Sequence, residues 1–226
     1  MPNIRIIVIF AVIVIAAVAG LAWPFLATMK VGYIMQPVQA SQWHMGKGSE
    51  YTPDMTYQVT FNQTTFLADM KFLPVSQGAQ QLLVKINPSN GSSVDQTVNI
   101  GLVYDFVDVS VPSKPYFDIL DQSVFSMRDY ATEAKYLAKD AEWGDLYIGA
   151  NEEKLKVTDS GKMSFKFGSA DAYLLSYRIG AKMNKIWIVD NLPLPVKAEI
   201  YDPDGNLQST YELVSLKAPS TPGLIS

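Results

Sequence analysis

The stretch MTYQVTFNQTTFLADMKF, residues 55–72, alternates apolar and polar side chains through two runs with a polar break between them. Met55, Tyr57, Val59 and Phe61 fall on one face, with Thr56, Gln58 and Thr60 on the other. That is the period of a half-buried strand. Phe66, Ala68, Met70 and Phe72 repeat the pattern, with Asp69 and Lys71 opposite. Asn62-Gln63-Thr64 then reads as a hairpin connection.

Toward the C-terminus the same period recurs. Strands are predicted at Gln81–Ile86 and Val94–Ile100, joined by the turn Pro88-Ser-Asn90-Gly91. A third, Leu102–Val111, is apolar on both faces and reads as a central strand covered on both sides. Further strand signals lie at Asp145–Ile148, Lys154–Val157 and Lys162–Phe167, with Asp159-Ser-Gly161 as a turn. Tyr173–Ile179, Ile186–Val189, Val196–Ile200 and Leu207–Val214 follow. The last two form a hairpin through Asp202-Pro-Asp-Gly205, where proline fixes φ and glycine accepts a positive φ.

One segment changes period. Phe117, Leu120, Val124, Met127, Ala131, Ala134 and Ala138 step by three and four, a full apolar stripe. Ser113 suits an N-cap, Pro115 the first turn, and Asp118 and Asp121 the positive helix end. The spacing predicts one amphipathic helix from about residue 115 to 139, packed across a sheet.

Toward the N-terminus, Ile6–Met29 carries no charge. Ile4 to Trp23 is long enough, at roughly 1.5 Å per residue, to span about 30 Å of hydrocarbon. Arg5 sits at one end, and Trp23 suits the opposite aromatic belt. The expectation is a transmembrane anchor over residues 1–29, with a short cytoplasmic tail at 1–5. A cleaved signal peptide ending at Ala19 is the competing reading. Residues 30–54 read as a membrane-proximal connector, 55–216 as an extracytoplasmic domain and 217–226 as a flexible tail. The expected address is the cell membrane, single-pass, N-terminus cytoplasmic and residues 30–226 outside. Two glycosylation triplets, at Asn62 and Asn90, are compatible with export.

The expected fold class is α+β: an N-terminal transmembrane helix, then a mainly antiparallel curved sheet or half-barrel with one long amphipathic helix. In pattern and in its terminal Val196–Val214 hairpin the chain resembles the curved-sheet periplasmic lipid carriers. That resemblance implies an antiparallel half-barrel around helices; it rests on no family motif.

Composition excludes chemistry. Cysteine is absent from the 226 residues, which removes disulfides, thiolate metal sites and a cysteine nucleophile. Beyond residue 29, 17 Lys/Arg (all but Arg5) face 22 Asp/Glu, a net charge of −5. That balance argues against nucleic acid as a partner. The single histidine, His44, lies beside Met45 and near Met35, a weak soft-metal candidate. Asp202, Asp204 and Asn206 imitate the start of a calcium loop, but Gly205 and Leu213 occupy the wrong positions. No spacing selects a carboxylate pair or a serine relay, so a hydrolase is a minor reading and no cofactor is expected. Phe165, Phe167, Tyr173 and Tyr177 are the candidate lining of an apolar ligand pocket, weighed against plain core. The function expected is a non-catalytic, membrane-anchored binding or accessory subunit with a protein partner in the cell envelope. The alternative is a carrier or sensor of a lipid or small apolar ligand.

Overall fold

The computed structural model describes residues 40–76, 79–148 and 151–217. The anchor expected at residues 1–29, the first part of the connector and the tail from 218 lie outside the described residues. Among the described residues no helix is long and apolar enough to cross a membrane.

Thirteen strands are described: β1 (Gln42–Trp43), β2 (Asp54–Phe61), β3 (Thr64–Ser76), β4 (Ala79–Pro88), β5 (Val94–Ile100), β6 (Phe106–Val107), β7 (Lys135–Tyr136), β8 (Glu142–Ile148), β9 (Asn151–Phe165), β10 (Gly168–Ile179), β11 (Lys182–Val189), β12 (Lys197–Tyr201) and β13 (Leu207–Lys217). The helices are α1 (Lys114–Gln122) and α2 (Arg128–Ala131), with a 3-10 turn at Ser49–Tyr51. β1 and β7 form a small antiparallel ribbon. The others make one antiparallel sheet in the order β6-β5-β4-β3-β2-β13-β12-β11-β10-β9-β8. Every neighbour in it is a hairpin partner except the β2–β13 seam, where Tyr57 faces Leu213 and Val59 faces Tyr211.

The period-two reading of residues 55–72 translates directly into packing. Val59 pairs with Phe66, Tyr57 with Ala68, Ala68 with Ile86 and Met70 with Val84. All of these are buried. This face is the one covered by α1 and the segments around it: Phe66 meets Tyr116 edge-on at 5.4 Å.

The expected fold class is corrected. The protein is mainly antiparallel β, and the single long helix does not form. α1 is nine residues long, α2 is four, and Lys135–Tyr136 is already strand β7. Two local causes are visible. Ser123 leaves helical geometry (φ −117°, ψ −90°), its Oγ donates to Ile119 O at 2.6 Å, and Ser126 Oγ donates to Ser123 O at 2.7 Å. Such side-chain bonds compete with the helical ladder. Adjacent Val124 and Phe125 are also both fully buried, whereas a regular helix would turn Phe125 about 100° away from Val124, off the side of the expected stripe. Phe125 packs on Phe106 at 4.6 Å and could not do so from the expected stripe. Ser113 does precede α1, but its hydroxyl bonds Ser110 Oγ instead of capping.

Two strand readings also change. Leu102–Val111 is no central strand: Tyr104 (φ 61°) and Asp108 (φ 63°) turn the chain, leaving only the two-residue β6. Lys154–Val157 and most of Lys162–Phe167, as far as Phe165, are parts of the single strand β9, with Lys166 and Phe167 forming the turn to β10; the expected turn at residues 159–161 runs through β9 beside a bulge. Thr158 is the extra residue there. Its Oγ1 bonds Leu174 O (3.3 Å) and Ser176 Oγ (3.0 Å).

Residues 40–54 contribute to the core more than a connector would. Trp43 and Met45 are fully buried, and Trp43 stacks on Trp143 at 5.8 Å. Trp43 Nε1 donates to Leu192 O at 2.7 Å.

Candidate functional site

The four aromatics expected to line one pocket are divided between two faces. In the register of β9 with β10, Phe165 pairs with Gly168 and Met163 with Ala170, while Tyr173 pairs with Ser160. Phe165 therefore shares the face of Ala170 and Ala172, and Tyr173 and Tyr177 point to the opposite, helix-covered face. At the hairpin tip Phe165 and Phe167 stack on each other at 5.4 Å. Between them Lys166 reaches the outer face of the β2–β13 seam: its N–H donates to Glu212 Oε1 (3.3 Å) and its Nζ to Gln58 Oε1 (3.0 Å). All four are odd-numbered, so simple alternation assigns them one face; the two-residue turn between Phe165 and Gly168 changes the parity. Reading that change required knowing that the hairpin turns at residues 166–167.

On the covered face, aromatic side chains fill space. Tyr57 meets Tyr211 edge-on at 6.3 Å, and Phe106 meets Phe117 at 5.0 Å. Burial raises the phenol pKa values of Tyr57 and Tyr211, and pushes Tyr177 up to about 12, with Tyr130 nearby adding to it. Tyr57 Oη donates to Pro195 O at 3.0 Å. Two buried polar atoms have no partner among the described residues: Tyr211 Oη and Asn184 Nδ2. The other end of the Asn184 amide is held, accepting the Tyr201 N–H at 2.6 Å.

One cleft of about 430 Å³ opens between the covered face and the helical segment. Phe61 and Ile200 form apolar parts of its wall; Asp121, Gln122, Arg128 and Gln208 make the rest polar. Arg128 is gripped there by both oxygens of Asp121, Nη2–Oδ2 being 2.8 Å, with Asp129 at 3.7 Å. The Asp121 hydrogen bond is the main cause of its raised pKa. A second, smaller groove of about 220 Å³ lies on the outer face beside Lys166 and Glu212.

The remaining candidates take ordinary places. His44 Nδ1 lies 2.9 Å from Met45 O, and the Met45 side chain is in the core; Met35 is outside the described residues. No group of three His, Cys, Asp or Glu is placed to hold a metal among the described residues. Asp202 accepts the Asn206 N–H at 2.8 Å, which lowers its pKa and closes the β12–β13 turn. Asn62 and Asn90 are both exposed.

A surface feature escaped the pattern reading. Between β5 and α1, Leu102 is 96% exposed, Val111 85% and Val103 55%, with Val107 also exposed. Their alternation looked like a buried strand, and nothing in residue type distinguishes that from an exposed apolar loop.

No family model and no curated protein matches the chain. Among solved structures, the chain is similar to MucB, at 10% identity over 78% of this chain and 56% of that one, with a TM-score of 0.48. It is similar to the Pseudomonas aeruginosa MucA/MucB complex at 13% identity and TM-score 0.40, over 77% of this chain and 56% of that one. An exported protein of Bacteroides fragilis with a YmcC-like fold matches at 11% identity and TM-score 0.36, over 79% of this chain and 99% of that one. The chain spans about half the length of the MucB structures it matches.

Proposed function

We propose that residues 40–217 form a non-catalytic binding module that engages a protein partner, as an accessory subunit of a cell-envelope assembly. The observation that carries this reading is the contrast between the two sides of the structure. The covered face is packed with side chains, whereas Leu102, Val103 and Val111 stand in solvent. Three apolar side chains left so exposed along one loop support recognition by that loop, Leu102 and Val103 at its turn beyond Ile100 and Val111 toward Gln96. A packed interior leaves the outside of the molecule for recognition.

The second reading is a carrier of a lipid or small apolar ligand, and the cleft beside Phe61 and Ile200 favours it. Its half-polar wall and the engaged Arg128–Asp121 pair weigh against a purely apolar cargo. Crosslinking in cells, followed by mass spectrometry of protein and lipid, separates the two. The binding module yields a discrete protein neighbour. Lipid co-purifying without any protein neighbour contradicts it in favour of the carrier.

A further inference from the structure

The sheet has two ends, and they are finished differently. At the β5 end, the chain's own loop lies along the strand. Gln96 Nε2 donates to Asp108 O (2.9 Å), and Gln96 Oε1 accepts from Ser110 N (3.2 Å) and Ser110 Oγ (2.8 Å). β6 closes the rest. At the other end β8, seven residues long, pairs only with β9 among the described residues. A strand in that position presents a row of free backbone donors and acceptors to any extended chain.

The side chains along that edge define what kind of chain fits. Asp145 and Tyr147 face Lys154 and Glu152 across the β8–β9 ladder, so these four share one face. Lys154 Nζ is shared by Asp145 (2.8 Å), Glu142 (3.4 Å) and Glu152 (3.8 Å). With Lys156 opposite Glu142, three carboxylates meet two ammonium groups on this face, and Glu153, opposite Leu146, adds a fourth carboxylate on the other, for a charge of −2 over the whole edge. Tyr147, 75% exposed, offers an aromatic ring beside them. On the opposite face Leu146 is half-buried, and Gly144 lies against Tyr130, where a Cβ would come within 3.2 Å of the ring.

We infer that β8 is a docking edge for an extended basic segment of a partner protein, which adds as a twelfth strand. Its Lys or Arg residues alternate along the face of Asp145 and Glu142, and its β-branched residues lie along the face of Leu146. A cation over Tyr147 adds to the attraction. A second copy of this chain is disfavoured, because pairing two β8 edges sets acidic strands side by side. This inference rests on the reading of the domain as a protein-binding module, and names one partner class and its place.

The test uses the full chain and a labelled peptide of about seven residues, the length of β8, with Lys or Arg alternating with Val or Thr. Fluorescence anisotropy should show saturable binding that weakens as salt is raised. Methylating alternate backbone nitrogens on one edge of the peptide should weaken it more than tenfold, because ladder bonds are lost. The double variant Asp145→Asn, Glu152→Gln should weaken it roughly three- to tenfold, with an unchanged melting temperature confirming that it folds. No binding of the basic peptide overturns the inference. Equal affinity of the methylated peptide, or of the double variant, does so too, since a diffuse charged patch would then explain the data. If the edge fails while a protein neighbour is still crosslinked in cells, the binding module stands and only its edge is rejected.

Discussion

Tyr57 and Tyr211 touch each other in the core, yet their hydroxyls are differently placed. Tyr57 Oη bonds Pro195 O, while Tyr211 Oη has no partner among the described residues. Removing a paired hydroxyl costs about 1 kcal/mol and leaves the carbonyl unsatisfied, whereas removing an unpaired buried one relieves a desolvation penalty. Urea unfolding should therefore show Tyr57→Phe destabilised by about 1 kcal/mol or more and Tyr211→Phe unchanged or stabilised. The same buried phenols set an alkaline limit. The pKa values of Tyr57, Tyr177 and Tyr211 are raised in the folded state, so the unfolded chain releases these protons first as pH rises. Their contribution is fully present below the ordinary tyrosine value near 10 and is lost as pH climbs through the folded values, Tyr177's being about 12. Melting temperature should hold from neutral pH to about 10 on this account and fall above it. Burial of Tyr57 was legible from the alternation of residues 55–61, while Tyr177 was read as a candidate pocket residue weighed against core. Which hydroxyl finds a partner depends on Pro195, remote in sequence, and was not legible.

Elements were legible wherever a single period ran uninterrupted. β2 to β5 and the β12–β13 hairpin follow alternation and turn chemistry that need no distant partner. The reading failed where two demands met in one segment. Residues 114–139 carry a helical stripe, but Phe125 must also reach Phe106, and the chain breaks after Gln122 to let it. Phe125→Ala should cost about 3–5 kcal/mol in chemical denaturation, as for other buried aromatics. Ser123→Ala should leave the break in place, seen as unchanged helix content by circular dichroism, because the packing of Phe125 remains. The segment before β2 offers a backbone case. Gly48 has φ +81°, and a Cβ there would lie 2.5 Å from Asn191 O. Gly48→Ala should therefore destabilise by more than about 1 kcal/mol in the same assay. Residues 30–54 read as a connector, yet Gly48 marks a close approach of two backbones.

At the scale of the whole molecule, the β2–β13 seam joins the first half of the sheet to the second. No local pattern announces it, because it pairs residues about 150 positions apart. The edges of the sheet, and hence the exposed Leu102–Val111 loop and the open β8, follow from that seam and were illegible for the same reason. The division of the candidate pocket aromatics was illegible for a related reason: Phe165 and Tyr173, close in sequence, lie on two faces of one long hairpin. Recognition through the exposed loop rather than through the cleft beside Ile200 is the central claim of the proposed function. It is tested most directly by placing a photo-crosslinking amino acid at Leu102, Val111 or Ile200 in turn and irradiating cells. The account expects a discrete protein adduct from Leu102 and Val111 and none from Ile200, which lines the half-polar cleft. Lipid adducts at Ile200, with no protein adduct at Leu102 or Val111, would contradict it.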